Sequence, residues 1–355
     1  MTSMDRKKTV WLCVLAGSVL LALLWYLSSF SNRFVLDGAD GRDRTVNLPG
    51  AVGPAEDGRV VLAAVGDIML SRVVEQKMIA QQDWRYPFLE TAPLTRGADL
   101  AFGNLETPIA AGKVVPTGSF LFRADPQAVE GLRYAGFDIL SLANNHMLNR
   151  GRDGLASTLR VLDEAGIDSC GAGLSEAEIY APAVRTVRGV RFGFLSYTYA
   201  REQSRGADGE TYGTAYMETE RMRQQVATLR ESVDVVVVSM HAGTEYASAP
   251  HPSQTAFARA AIDAGAQLVL GHHPHTVQTF EKYGDGYIIY SLGNFVFDQM
   301  WSEETRLGAV ARITFEDKRI ASVEFTPTRI YDYAQPRLAE GADKQRLLDR
   351  LRLAQ

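Results

Sequence analysis

From Val60 onward the chain repeats one pattern: a short apolar run that stops abruptly at polar residues. Val60 to Val65 runs into Gly66-Asp67, Leu100 to Phe102 into Gly103-Asn104-Leu105-Glu106, and Ile139 to Ala143 into Asn144-Asn145-His146. Val235 to Met240 runs into His241, Leu268 to Leu270 into Gly271-His272-His273-Pro274-His275, and Tyr287 to Leu292 into Gly293-Asn294. Short runs of Val, Ile and Leu read as strands buried on both faces. Helical patterns lie between them, at Gly154 to Ala165, Thr219 to Glu231 and Ser253 to Ala264, with Gly166 and Gly265 placed as C-terminal caps. Alternating strands and helices predict an α/β domain with a substantially parallel sheet, whose ligands collect beyond the carboxyl ends of the strands. Toward the C-terminus, Ala309 to Phe315 and Ile320 to Phe325 alternate around Asp317-Lys318 as a β-hairpin, and Ala342 to Leu353 reads as an amphipathic packing helix.

The N-terminus follows a different rule. Arg6, Lys7 and Lys8 precede an apolar stretch from Val10, which with Ser28, Ser29 and Phe30 is long enough as a helix, roughly 31 Å, to cross a bilayer core. Trp25 and Tyr26 sit at its far end, where amphipathic rings favour the interface. The basic cluster predicts a cytoplasmic tail over 1–8, a single-pass cell-membrane anchor over 9–30 and an extracytoplasmic main domain. A cleaved signal peptide is the alternative, but the apolar run is longer than such peptides carry. Residues 31–59, rich in Gly, Asp and Pro, read as a linker; 60–330 as the domain; and 331–355 as a C-terminal tail and helix.

Composition narrows the chemistry. The 355 residues carry a net charge of −5, which argues against a surface built to grip nucleic acid. The two cysteines, Cys13 and Cys170, cannot form a cysteine-rich zinc site, and Cys13 lies in the apolar N-terminal stretch. No Walker-type phosphate loop and no Gly-x-Ser-x-Gly elbow occurs. All six histidines fall between His146 and His275. Taken singly, each polar residue has a structural reading: Asp67 as a turn former, Asn144 and Asn145 as helix caps, Asp153 as an N-cap, His251 as an exposed loop residue and His241 as a core histidine. Packing does not explain five histidines at three strand ends, three of them within four positions. Imidazole, carboxylate and amide donors without a thiolate suit Mn, Fe, Zn or Mg, in numbers sufficient for two divalent ions. Such a pair polarises an oxygen of the substrate and activates water for attack on a phosphoryl or acyl centre. Arg72 and Arg123 are candidates for gripping an anionic substrate.

The stretches Val65-Gly66-Asp67-Ile68-Met69-Leu70-Ser71-Arg72, Gly103-Asn104-Leu105-Glu106-Thr107-Pro108, Asn144-Asn145-His146, His241-Ala242-Gly243-Thr244-Glu245-Tyr246, Gly271-His272-His273-Pro274-His275 and Ser291-Leu292-Gly293-Asn294-Phe295 resemble, in order, the CapA family of poly-γ-glutamate capsule synthesis proteins. That resemblance implies a four-layer α/β/β/α sandwich like that of calcineurin-like metallophosphoesterases, preceded by a membrane anchor, and a dinuclear site. It implies Asp67, Glu106 (or Asn104), Asn145, His241, His273 and His275 as metal ligands and His146 as the imidazole that stabilises the transition state. His272, Glu245, Asn294 and Asn104 become substrate contacts beside the two arginines. The family usually has Asp where this chain has Asn149, which would weaken acid–base catalysis unless Asp153 substitutes. Ala242 stands where the family tends to have Trp, which would open the pocket. The expected function is a membrane-anchored, metal-dependent hydrolase acting on an anionic polymer or phosphoester, beside capsule-synthesis membrane subunits. A non-catalytic polymer-binding subunit and a metallophosphoesterase unrelated to capsule are the alternatives.

Overall fold

The computed structural model describes residues 59–200 and 212–352. The predicted tail, the anchor and the linker up to residue 58 lie outside the described residues, and no helix among those described is long and apolar enough to cross a membrane. In chain order, β1 (Val60–Ile68), α1 (Arg72–Gln81), α2 (Ala92–Arg96), β2 (Leu100–Leu105), α3 (Val129–Ala135), β3 (Ile139–Ser141), α4 (Gly151–Glu164) and β4 (Asp168–Cys170) form the first half. Then come β5 (Ala172–Gly173), α5 (Glu176–Ile179), β6 (Ala183–Val187), β7 (Val190–Thr198), β8 (Gly213–Thr214), α6 (Thr219–Leu229), β9 (Val235–His241), α7 (Pro252–Ala264) and β10 (Leu268–His272). The chain closes with β11 (Phe280–Tyr283), β12 (Gly286–Ile289), β13 (Asn294–Val296), β14 (Leu307–Glu316), β15 (Arg319–Tyr331), β16 (Gln335–Leu338) and α8 (Gly341–Arg350).

Instead of one sheet there are two large ones, both mixed. The first runs β16-β15-β14-β1-β2-β3-β4, with β13 pairing on the end of β1; the second runs β11-β12-β10-β9-β7-β6. The parallel strands are β1 to β4, with β13, at one end of the first sheet, and β7, β9, β10 and β12 in the middle of the second. Period-two alternation sorts the side chains into layers. Leu62, Ala64, Phe102 and Ile139 face Phe192, Phe194, Val237 and Leu270 between the sheets. Ala63, Val65 and Leu140 turn outward to Val74, Leu132, Leu155 and Leu162 of α1, α3 and α4. On the other side Val236, Val238 and Val269 pack on Met222, Val226, Phe257 and Ala261 of α6 and α7. The result is an α/β/β/α sandwich.

Several expected boundaries shift. The run predicted as a strand over Tyr287 to Leu292 ends at Ile289, because the chain crosses to the first sheet, where Asn294 opens β13 in register with Asp67. The crossing is tight: a Cβ on Gly66 would lie 1.9 Å from the Gly293 carbonyl oxygen, and Gly293 takes φ +70°. Helix α4 begins at Gly151 with Arg150 as its N-cap, so Asp153 sits exposed in its first turn and does not cap it. His251 does cap α7, its ring accepting from the Ser253 N–H. The β6–β7 hairpin went unpredicted although Arg188 and Gly189, both at positive φ, form its turn. Past residue 330 the fold continues: β16 extends the first sheet, and Leu347 and Leu351 enter the inter-sheet core.

Two outcomes follow from this packing. Phe102 stacks on Phe194 across the sheets, rings 5.4 Å apart and 12° from parallel, so Phe102→Ala should lower unfolding free energy by about 3–5 kcal/mol in urea titrations. Burial pushes the Cys170 thiol up to about 12, and burial together with the bond to Glu281 does the same to the Tyr290 hydroxyl. Groups raised on folding stabilise fully below their unfolded values and lose that contribution as pH rises. The urea midpoint should therefore fall between about pH 8.5 and 11; a flat profile there would contradict these assignments.

Candidate metal centre

Register brings the polar strand ends together. Across the first sheet Asn294, Asp67, Asn104 and Ser141 stand side by side; across the second, Thr198, His241 and His272 do the same. At the centre is Glu106, fully buried, whose carboxylate oxygens have no hydrogen-bond partner. Its Oε1 lies 3.8 Å from His146 Nε2, 3.9 Å from His241 Nε2 and 3.8 Å from His275 Nε2. Ligands sharing one cation at about 2.0–2.2 Å are separated by roughly 3–4 Å, and the His241 and His275 distances match that spacing. Burial pushes the Glu106 carboxyl well above the ordinary range, and the neighbouring Asp67 and Glu245 charges push it further. Burial also acts to raise Asp67, but its contacts with His272 and His275 outweigh this and hold it well below. Burial lowers the imidazoles, His146 to about 4 and His273 to about 3, with His241 also well below its usual value. The neutral imidazoles of His146 and His241 beside an unpartnered buried carboxylate fit a divalent cation.

The asparagines orient these rings. Asn294 Nδ2 donates to the Thr305 carbonyl at 2.9 Å, so its Oδ1 faces His275 Nδ1 at 2.9 Å and must accept from it. His275 is thereby an Nδ1–H tautomer with Nε2 free toward Glu106. Asn149 Oδ1 accepts the Phe122 N–H at 2.7 Å and lies 3.0 Å from His146 Nδ1, fixing the same tautomer there. Phe122 also stacks on the His146 ring at 3.9 Å. His241 differs. Asn144 Oδ1 takes the His146 N–H and its Nδ2 donates to Leu105 and Asn104, leaving the Asn104 Nδ2 to donate to Asp67 Oδ1 and His241 Nδ1. His241 then carries its proton on Nε2, 2.8 Å from Asn145 Oδ1, and ligation through that nitrogen would require the ring to carry its proton on Nδ1 instead.

Two overlapping ligand sets emerge among the described residues: Asp67, Glu106 and His275, and Glu245, His273 and His275, each with its ligand atoms within 4.8 Å of one another. The structure thus gathers Asp67, Glu106, Asn145, His146, His241, His273 and His275. It adds Glu245, expected as a substrate contact, to the donors. His272 is buried beside Asp67, its Nδ1 3.5 Å from the carboxylate, and Asn104 and Asn294 are likewise buried, bonded to Asp67 and His275 respectively. Arg72 is committed to Asp298, with Nε 3.1 Å from Oδ2, and to the Ser119 carbonyl. Arg123 is buried in an ion pair with Glu75 at 2.6 Å. Asp153, exposed on α4, leaves Asn149 as the partner of His146. Tyr199, whose ring stands 4.6 Å from that of His273, was missed because β7 was missed.

The sequence profile of the bacterial capsule synthesis protein PGA_cap family matches residues 61–299, which hold every one of these donors. The chain belongs to that family. The capsule biosynthesis protein CapA of Bacillus anthracis is 32% identical over 304 residues, covering 83% of this chain and 74% of its own. A hypothetical protein of Thermus thermophilus superposes with a TM-score of 0.50 at 16% identity, over 76% of this chain and all of its own, which speaks to fold alone. The calcineurin-like phosphoesterase YfkN of Bacillus subtilis overlaps 82% of this chain and 96% of its own at a TM-score of 0.42 and 12% identity, too low to carry an argument by itself. The family match ends before Trp301 and the C-terminal strands.

Long-range proton–nitrogen spectra of the metal-free chain should show His146 and His275 as Nδ1–H tautomers and His241 as Nε2–H. A His275 signal of the opposite tautomer would refute the orientation assigned to Asn294.

Proposed function

We propose that this chain is a metal-dependent hydrolase acting on an anionic polymer or phosphoester in capsule assembly, held at the cell membrane by residues 9–30 with its N-terminus cytoplasmic. The observation that carries the enzymatic part is the buried, unpartnered carboxylate of Glu106 facing three imidazole nitrogens. Family membership and the CapA relative support the capsule setting. The basic cluster followed by an apolar run supports the anchor.

Asp67, Glu106, Asn145, His241, His273, His275 and Glu245 would hold one or two divalent ions. Bound there, such ions supply Lewis acidity and lower the pKa of water. The remaining work falls to the protein. His146 presents the lone pair of Nε2 toward Glu106 while Nδ1–H is held by Asn149. Its environment keeps it neutral, so it enters the reaction as a proton acceptor or hydrogen-bond acceptor. With Arg72 and Arg123 tied into ion pairs, an anionic group of the substrate is left to the cations. Asn149 also favours a second reading, a polymer-binding assembly subunit without turnover, because a neutral amide stabilises a charged imidazole less than a carboxylate does.

Elemental analysis after loading with Mn, Fe or Zn should find bound metal near stoichiometry, and Glu106→Gln should abolish it. On a panel of phosphomonoester, phosphodiester and γ-glutamyl amide substrates, His241→Ala should lower kcat/KM by roughly a hundredfold or more. Failure to bind any of these metals would refute the enzyme reading. Full loading with no turnover on the panel would favour the assembly subunit.

A further inference from the structure

Of the two ligand sets, Glu245, His273 and His275 stand on segments that leave the second sheet, Glu245 after β9 and the histidines after β10. His273 and His275 are buried, whereas Glu245 is exposed on the loop between β9 and α7. A carboxylate on an exposed loop swings freely unless the backbone beneath it is fixed. Two buried glutamines fix it here. Gln278 donates from Nε2 to the Ala247 carbonyl at 2.9 Å and to the Ala249 carbonyl at 2.9 Å. Its Oε1 accepts from Gln254 Nε2 at 3.2 Å. Gln254 Oε1 in turn accepts the His251 N–H at 2.7 Å, and the Thr276 hydroxyl gives the Ala247 carbonyl a second donor at 3.0 Å.

Both glutamines and Thr276 are shut away from water. Their amides fit in one sense only, since turning the Gln278 amide over would set its oxygen against two carbonyl oxygens. The backbones that carry them are fixed in turn. Gln254 lies in the first turn of α7, and the Gln278 N–H donates to the Ser291 carbonyl at 3.1 Å, next to the bridge between Val277 and Leu292. Gly243, at φ +125°, lets the loop enter against Gln254, where a Cβ would lie 2.5 Å from Oε1. The Tyr246 N–H reaches the Pro274 carbonyl at 2.8 Å, between the two histidines. The loop is thus laced at its start, middle and end to α7 and to the stretch that carries His273 and His275. Asp67 and Glu106, by contrast, are placed by the pairing of β1 with β2.

We propose that Gln278, acting through the Ala247 and Ala249 carbonyls, is the positioning residue that holds Glu245 against His273 and His275. This deepens the metal-centre reading above and rests on it, by giving the two ligand sets different supports. Without the Gln278 amide, Ala247 keeps only the Thr276 hydroxyl and Ala249 keeps only water. Glu245 then spends part of its time away from the histidines, and a cation shared by the three is held less tightly. The set built on Asp67 and Glu106 keeps its strand register and is left as it was.

The test uses the full-length chain in detergent, titrated with Mn²⁺ in a calorimeter. Glu245→Gln and Gln278→Met should each weaken the same Mn²⁺ step about tenfold, and the double variant should lose no more than Glu245→Gln alone. Additive losses would overturn the positioning role, because a merely structural defect adds to the loss of a ligand. So would a Gln278→Met chain that binds Mn²⁺ as the wild type does. Thr276→Val, a milder cut in the same lacing, should weaken that step less, and Thr276→Ser should restore it. Amide hydrogen exchange on the metal-free chain separates the clamp from the metal. Gln278→Met should speed exchange at the Tyr246 amide about tenfold, and an unchanged rate would overturn the clamp. A wild type that takes up no Mn²⁺, with the Tyr246 amide still released in Gln278→Met, would remove the metal-centre reading while upholding the clamp on the loop.

Discussion

Glu106 is the residue on which the arrangement turns. A carboxylate taken wholly out of water costs several kcal/mol unless something opposite in charge or rich in donors meets it. Here neither oxygen has a donor, and two of the imidazoles beside it, His146 and His241, are kept neutral by the same burial. Nor does Asp67 help, since its own charge pushes Glu106 toward the protonated form. A cation in their midst would offset these costs together: it would satisfy the carboxylates, accept the lone pairs of the imidazoles that ligate it and outweigh the Asp67–Glu106 repulsion.

That cluster exists because two sheets present their strand ends to one place. Asp67, Asn104 and Ser141 share a register row in the first, and His241 and His272 share one in the second. The Phe102–Phe194 stack and the aliphatic residues around it hold the sheets at a fixed separation, which sets how far His241 stands from Glu106. The crossing at Gly293 joins the two halves, bringing Asn294 from the end of the second sheet to pair beside Asp67. A side chain on Gly66 would force that crossing outward and carry the partner of His275 away with it.

What could be read in advance follows from how local each signal is. The donors sat at the ends of apolar runs, and a strand end is a local feature, so the polar strand ends stood out before any coordinates, while the selection of Asp67, Glu106, Asn145, His241, His273 and His275 among them came from the family resemblance. The division into two sheets was not legible in the apolar runs themselves, because Val-rich strands buried on both faces look alike whichever sheet they join; only the family resemblance pointed to it. Arg72 and Arg123 illustrate a second limit. An arginine near a motif looks available until its partner is known, and Asp298 lies 226 positions from Arg72 in sequence. Gln254 and Gln278 gave no signal at all, since a buried amide that holds a loop is distinguished from an exposed one only by what the fold packs against it.

The use of asparagine where a carboxylate would also orient a ring has an electrostatic consequence. Asn149 and Asn294 fix the tautomers of His146 and His275 through carbonyl oxygens and add no charge. The carboxylates in the two ligand sets are Asp67, Glu106 and Glu245. If the proposed pair of divalent cations binds among them, its charge exceeds theirs by one unit. Aspartates at 149 and 294 would reverse that balance and turn an anion-attracting centre into an anion-repelling one. Since both nearby arginines are already neutralised by Asp298 and Glu75, that residual positive charge is what remains at the centre to draw in an acidic group. Asparagine at 149 is therefore compatible with a working site for an acidic substrate: what His146 loses in basicity, the centre regains in attraction for the group it acts on.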